Sequence, residues 1–394
     1  MASFTQKPVR NKFLVFGSPL IERPEINEVI STLKSGWIGS GPKVHKFEEM
    51  FKAYKGSRHA VALNSCTAAL HLSMLAIGIK ENDEIIVPAM TFAATANSVI
   101  HAGGVPVLVD CNKDTMNIDP EDIKKKITPK TKAIIVVHFA GRPCNMEAIM
   151  AVARRYHLKV IEDCAHAIES EYHNRKAGRF GDLGCFSFYV TKNITTGEGG
   201  MVITDNKAYA NKIKTLALHG MSKDAWRRFS DQGYKHYSVV YSGFKYNMTD
   251  LQAAIGIHQL PRIEKYWRRR CKIWNRYNQA FKKLPVITPS PEEPHTRHGR
   301  HLYSLLLDIN RLRISRDEFL DLMTKQNIGI GVHYICLHLQ PFYRKAFGYK
   351  RGDFPQAEWI SQRTVSLPLS PKLSDKDAGD VIRAVKKIIE RYKK

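Results

Sequence analysis

Ser187-Phe188-Tyr189-Val190-Thr191-Lys192-Asn193-Ile194-Thr195-Thr196-Gly197-Glu198-Gly199-Gly200 is the stretch on which the reading of this chain turns. An apolar strand over 184–189 breaks into a small polar turn holding one lysine, and a glycine cluster then leads into a second strand over 201–204. Lys192 therefore sits on a loop between two strands. An isolated loop lysine is ordinarily just solvated. A Schiff-base lysine, by contrast, must lose its proton before it attacks a carbonyl, and it needs a sheltered pocket of small polar groups like the Thr and Asn that flank Lys192. The glycines at 197, 199 and 200 admit close approach of backbone to a flat ligand, although ordinary loops use glycine too.

A second stretch upstream changes the balance. Leu158-Lys159-Val160-Ile161-Glu162-Asp163 is a short apolar strand ending in acids, followed by Cys164-Ala165-His166-Ala167. A carboxylate at the C-terminal end of such a strand stands at the rim of the sheet, where α/β proteins bind ligands. Pyridoxal phosphate needs that partner, because a carboxylate on the pyridine nitrogen keeps it protonated and makes the ring an electron sink. The plain alternative for Asp163 is a helix N-cap. The lysine and the acid together carry more weight than either alone.

The ordered set Asn64-Ser65-Cys66-Thr67-Ala68-Ala69-Leu70, Glu162-Asp163-Cys164-Ala165-His166-Ala167, and Ser187-Phe188 through Thr191-Lys192 to Gly197-Glu198-Gly199-Gly200 resembles the nucleotide-sugar aminotransferases of the DegT/StrS type. The resemblance runs from Phe16 to the last helix. It implies an aspartate-aminotransferase-like (type I) fold of the α/β class: a large, mostly parallel mixed sheet flanked by helices, plus a smaller C-terminal α/β domain. Residues 1–260 are the expected cofactor-binding domain and 261–394 the small one.

By that resemblance Lys192 holds pyridoxal 5'-phosphate (PLP), cycling with pyridoxamine 5'-phosphate (PMP), and Asp163 faces the ring nitrogen. Thr67, Ala68 and Ser187 anchor the phosphate, with Asn247 reaching across a homodimer whose active sites lie at the interface. Phe92 takes the place of the ring-stacking aromatic, and His166 stands where His or Gln lies beside the ring. The implied substrates are a nucleotide-linked keto sugar and glutamate, in amino-sugar synthesis for cell-surface polysaccharide. Tyr189 stands where histidine is common in the family; with Lys245, His333 and Tyr334 it is a candidate sugar contact. Read without the family, the junction ahead of Thr67 either attracts an anion or is simply capped, and a loop-edge phenylalanine is ordinarily core. One alternative is a PMP-dependent sugar dehydratase of the same fold, but those enzymes carry histidine in place of the lysine. A regulatory, nucleic-acid-binding relative is another, and it has no use for Lys192, Asp163 and Ser187 together.

Composition bounds the rest. Sixty-one Lys and Arg against 37 Asp and Glu give a formal charge of +24, which raises nucleic acid or an anionic membrane as partners. The densest basic patch, 265–272, has Ile263, Tyr266, Trp267 and Arg270 at helical spacing, which places an aromatic stripe under a solvated basic face and disfavours nucleic acid. Seven scattered cysteines form no CxxC pair, and His333, Tyr334 and His338 have no carboxylate close by, so no metal is expected. Residues 1–17 hold no apolar leader, and no run is long enough to span a bilayer. The expectation is a cytoplasmic protein without membrane insertion.

Along the chain, strands are expected at 59–64, 84–88, 106–110 and 133–138, with helices at 24–33, 43–54, 67–76, 93–102 and 145–157 between them. That alternation predicts a sheet covered on both faces. Residues 36–43 look like a phosphate loop but lack the GxxxxGK[ST] pattern. Residues 222–241 read as an active-site or interface loop, 301–309 and 329–334 as strands of the small domain, and 315–326 and 375–392 as its helices.

Overall fold

The computed structural model describes residues 7–222 and 236–394. Most of the expected interface loop at 222–241 lies outside those residues.

Seven strands form the main sheet: β1 (His59–Leu63), β2 (Glu84–Pro88), β3 (Val105–Val109), β4 (Thr131–Val137), β5 (Lys159–Asp163), β8 (Leu183–Ser187) and β9 (Gly200–Thr204). Their order is β1-β9-β8-β5-β4-β2-β3. Only β9 runs against its neighbours; it pairs antiparallel with both β1 and β8. The expected mostly parallel mixed sheet is borne out. Its central strands carry continuous apolar runs, such as Ile85-Ile86-Val87 and Ile134-Ile135-Val136, because helices cover both faces and these residues are wholly buried. The helix Cys66–Ile77 is apolar nearly all round for the same reason, with Ala69, Leu72 and Met74 wholly buried.

A short hairpin, β6 (Glu171–Tyr172) and β7 (Arg175–Lys176), joins β11 (Thr296–Arg297) in a small separate sheet. The C-terminal part builds a third, antiparallel sheet from β10 (Val286–Ile287), β12 (Tyr303–Leu307) and β13 (Thr364–Leu367). Helices Ile263–Phe281, Arg316–Lys325 and Asp375–Tyr392 pack on it around Tyr277, Tyr303, Phe319 and Ile388. Segment 329–334 is not the expected strand. It touches β13 at a single bridge, Gly331 to Ser366, since the edge of that sheet is completed by β13 itself. Val9 and Leu14 pack into this second core. We propose the division at residue 260, with the N-terminal segment assigned to the smaller unit.

The stripe on helix Ile263–Phe281 forms, and its one cation is held by an ion pair that the spacing did not foretell. Ile263 and Tyr266 are buried and Trp267 is half-buried, but Arg270 is also wholly buried and paired with Glu169. Among the described residues no helix is long and apolar enough to cross a membrane.

Candidate active site

Parallel strands deliver their C-terminal ends to one edge of the sheet, and the loops there make the site. β5 brings Asp163, the β8–β9 connection brings Lys192, the turn after β1 starts the helix at Cys66, and His333 and Tyr334 arrive from the C-terminal unit. Together they line a cavity of about 470 Å³.

Asp163 is buried, and both its oxygens are held: Oδ2 accepts from Thr95 Oγ1 at 2.9 Å and Oδ1 from the Ala165 amide at 3.1 Å. Burial pushes its carboxyl above the ordinary value, against the pull of those two bonds and of Lys192. Such an acid is completed by a cationic partner, as a protonated pyridine nitrogen would be. Lys192 sits in a tight turn, its amide donating to Tyr189 O at 2.9 Å. Its side chain is half-buried and lines the cavity, and burial lowers the ammonium pKa to about 8, opposed by Cys66 and Asp163.

Ser65 caps the helix Cys66–Ile77 by accepting from the Ala68 amide at 3.1 Å. Thr67 lines the cavity, whereas Ala68 is buried behind it with its N–H already spent on the cap. Of the expected pair, then, only Thr67 faces the cavity; the donors left open at this turn are its hydroxyl and the first-turn amides of Cys66 and Thr67, which no intrahelical carbonyl can reach. Gly200 shapes the same turn, since a Cβ there would stand 2.3 Å from Ser65 O and 2.6 Å from the Cys66 nitrogen. Ser187 lines the cavity too, its Oγ accepting from the Tyr189 amide at 3.3 Å.

Phe92 lies on the cavity wall at 61% exposure, its ring 5.9 Å from that of Tyr334. That is a poor use of a phenylalanine unless something flat covers it. His166 Nδ1 accepts from the Ala140 amide at 3.2 Å, so the proton of the neutral ring sits on Nε2, 3.3 Å from Tyr334 Oη. Burial drives His166 well below the usual imidazole range and His333 down to about 4, Lys192 adding to both, while it raises the Tyr334 phenol. Tyr189 stands exposed at the cavity rim.

Two residues lie away from this cavity: Lys245, a candidate sugar contact, and Asn247, expected to reach a partner's site rather than its own. Lys245 is exposed and bridges Leu218 through its backbone, so the structure does not bring it to Lys192. Asn247 pairs with Leu63, donates from Nδ2 to Ser40 Oγ at 2.6 Å, and borders a second cavity of about 600 Å³ instead.

Sequence reasoning missed Thr95 and the work of Glu162. A threonine inside an apolar helix carries no distinctive signal. Glu162 points to the other side of β5 from Asp163 and accepts from the amides of Phe180 (2.6 Å), Gly181 (2.7 Å) and Gly178 (2.7 Å) and from His138 Nε2 (3.0 Å). His138, Glu162 and Cys164 come within 4.8 Å of one another, but the bonds just named occupy the carboxylate. It is a strut beneath the site.

A half-buried amine of lowered pKa, a buried carboxylate and an amide-rich helix start in one cavity fit the aldehyde, the pyridine nitrogen and the phosphate of PLP. Fold and site together define an aminotransferase of the PLP-dependent type. The chain belongs to the DegT/DnrJ/EryC1/StrS aminotransferase family, whose pattern matches residues 19–386. The spore coat polysaccharide biosynthesis protein SpsC of Bacillus subtilis is 49% identical over 383 residues, 97% of this chain and 98% of SpsC. Among solved structures, the PLP form of the putative sugar aminotransferase Spr1654 of Streptococcus pneumoniae superposes with a TM-score of 0.89 at 31% identity, covering 96% of this chain and 99% of that one; a PMP form is also known. PseC of Helicobacter pylori, an aminotransferase involved in the biosynthesis of pseudoaminic acid, gives 0.90 at 28% identity, covering 97% and 100%. The reading of the chain as a sugar aminotransferase is borne out.

Proposed function

We propose that this aminotransferase carries PLP on Lys192 and moves an amino group from glutamate to the keto group of a nucleotide-linked deoxysugar. The observation that carries the assignment is that the Lys192 amine and the Asp163 carboxylate line one cavity, with Thr67 and Ser187 on its wall. When bound, the cofactor supplies the carbonyl that receives the amino group and the ring that takes up electrons. The protein's own part is positional and acid–base. With a pKa near 8, Lys192 Nζ is unprotonated often enough at neutral pH to attack a carbonyl carbon, and once released it takes up and returns a proton. Asp163, pinned by Thr95 and Ala165, keeps negative charge at the cavity wall, and Thr67, Ser187 and the turn at Cys66 fix an anionic end.

A homodimer accounts for two further observations. Ile26, Ile30 and Leu33 of helix Arg23–Ser35, with Trp37 and Ile38 beyond it, are all exposed, an apolar surface that a second copy would cover. Asn247, set apart from the cavity of its own chain, would then serve the partner's. Seven unpaired cysteines suit a reducing, cytoplasmic setting.

The protein loaded with PLP should be yellow, and Lys192→Ala should lose the covalent linkage while folding normally. A panel of nucleotide-linked keto sugars with glutamate, followed by the absorbance change between the two cofactor forms, identifies the acceptor. A wild-type protein that takes up no added PLP overturns the assignment.

A further inference from the structure

Asn193 follows the site lysine, yet its side chain turns into the core. Its Nδ2 donates to Glu169 Oε2 at 2.7 Å and to Gly299 O at 3.0 Å. Neither acceptor can donate, so the amide has one orientation, and Oδ1 faces His301 Nδ1 at 2.9 Å. That nitrogen must carry the proton of the neutral ring. Glu169 gives its other oxygen to the guanidinium of Arg270, which the long helix Ile263–Phe281 buries completely. At the other end, the His301 ring lies 4.4 Å from His166, tilted by 34°.

Arg270, Glu169, Asn193 and His301 are each at least nine-tenths buried. Desolvating such a set is expensive, and apolar side chains of similar volume would hold two units together as well or better. What apolar packing cannot do is fix where a proton sits or hold a polar turn in one orientation.

We propose that Asn193, Glu169 and His301 are positioning residues: a relay anchored on Arg270 that holds the turn carrying Lys192 and fixes the tautomer of the His301 imidazole packed beside His166. The proposal rests on the assignment of Lys192 as the cofactor lysine. The relay joins the C-terminal unit to the residue next to Lys192 without touching the cavity, so it acts through its neighbours. Loosening it exposes the half-buried Lys192 side chain further to water, which relieves the burial that depresses its pKa.

Four variants test this: Asn193→Ala, Glu169→Gln, His301→Ala and His301→Asn, the last keeping an N–H where Nδ1 stood. In the cofactor-free proteins, the pH dependence of Lys192 acetylation by acetic anhydride is read by mass spectrometry. The midpoint should rise by about half a pH unit or more in Asn193→Ala, Glu169→Gln and His301→Ala and stay at the wild-type value in His301→Asn. In the loaded enzyme, kcat should fall roughly tenfold to a hundredfold in the first three, with KM for glutamate within about threefold, and His301→Asn should be rescued. Wild-type midpoints in Asn193→Ala and His301→Ala, or a His301→Asn variant as impaired as His301→Ala, would overturn the relay. Wild-type protein that binds no PLP would overturn the cofactor assignment instead, and the acetylation midpoints would still decide the relay.

Discussion

Thr95 Oγ1 donates to Asp163 Oδ2 at 2.9 Å, tying the helix Ala93–His101 to the carboxylate at the end of β5. This bond favours the ionised acid, whereas burial disfavours it. Thr95→Val keeps the shape and removes the donor, so the Asp163 pKa should rise further. A hydrogen bond to a charged group contributes about 1.5 kcal/mol, equivalent to roughly tenfold in kcat/KM. A pH–rate profile checks it: the acidic limb should move to higher pH, and an unmoved limb rejects the role.

Asp163→Asn should stabilise the cofactor-free chain while abolishing transamination. Burial raises the folded carboxyl above its unfolded value, so the folded state binds that proton more tightly. Wild-type stability is therefore lost as pH rises from the unfolded carboxylate value through the folded one. The melting-temperature advantage of Asp163→Asn should grow as the pH is raised from about 4, the unfolded carboxylate value, through the neutral range. A constant or negative difference across that range contradicts the burial argument.

Gly200→Ala places a methyl group against Ser65 O and the Cys66 nitrogen. Both contacts are backbone, so β9 or the helix start must move. Overpacking of this kind costs about 1–3 kcal/mol. Because the displaced turn is where we propose that the cofactor's phosphate binds, PLP affinity measured by fluorescence titration should drop roughly tenfold as well. Lost stability with unchanged affinity would separate that turn from phosphate binding.

Phe92→Ala should behave oppositely. At 61% exposure the ring contributes little to the fold, and the change in stability should stay within about 0.5 kcal/mol. Cofactor release after dilution should quicken severalfold, since the exposed face is the one available for stacking. A large loss of stability with normal cofactor retention would return Phe92 to the core.

Much of this molecule can be read from local pattern. Strands such as Glu84–Pro88 and helices such as Asp375–Tyr392 announce themselves by buried runs and by caps, Ser374 with Asp377 in the latter case. Asp163 stood out because it ends an apolar strand, and Lys192 because it is the lone charge in a small polar turn between two strands. The missing parts are those set by long-range packing. Nothing near Thr95 marks it as Asp163's donor, and Asn193, Glu169, Arg270 and His301 are scattered over more than a hundred residues before they meet. The capped amide of Ala68 also needed coordinates, because spacing alone cannot say whether an N–H faces a serine or an anion. Segment 329–334 alternates like a strand but lies beside a sheet edge already filled by β13.

Glu162 and Asp163 are neighbours in sequence and opposites in task, since consecutive residues of a pleated strand face opposite ways. One acid is consumed as a rivet for the 178–181 turn, and the other stays open to chemistry. Sliding this strand by a single step would swap their duties, leaving a catalyst without its acid and a turn without its anchor. Anyone grafting this pair onto another scaffold must therefore copy the alignment of the strand as faithfully as the two side chains.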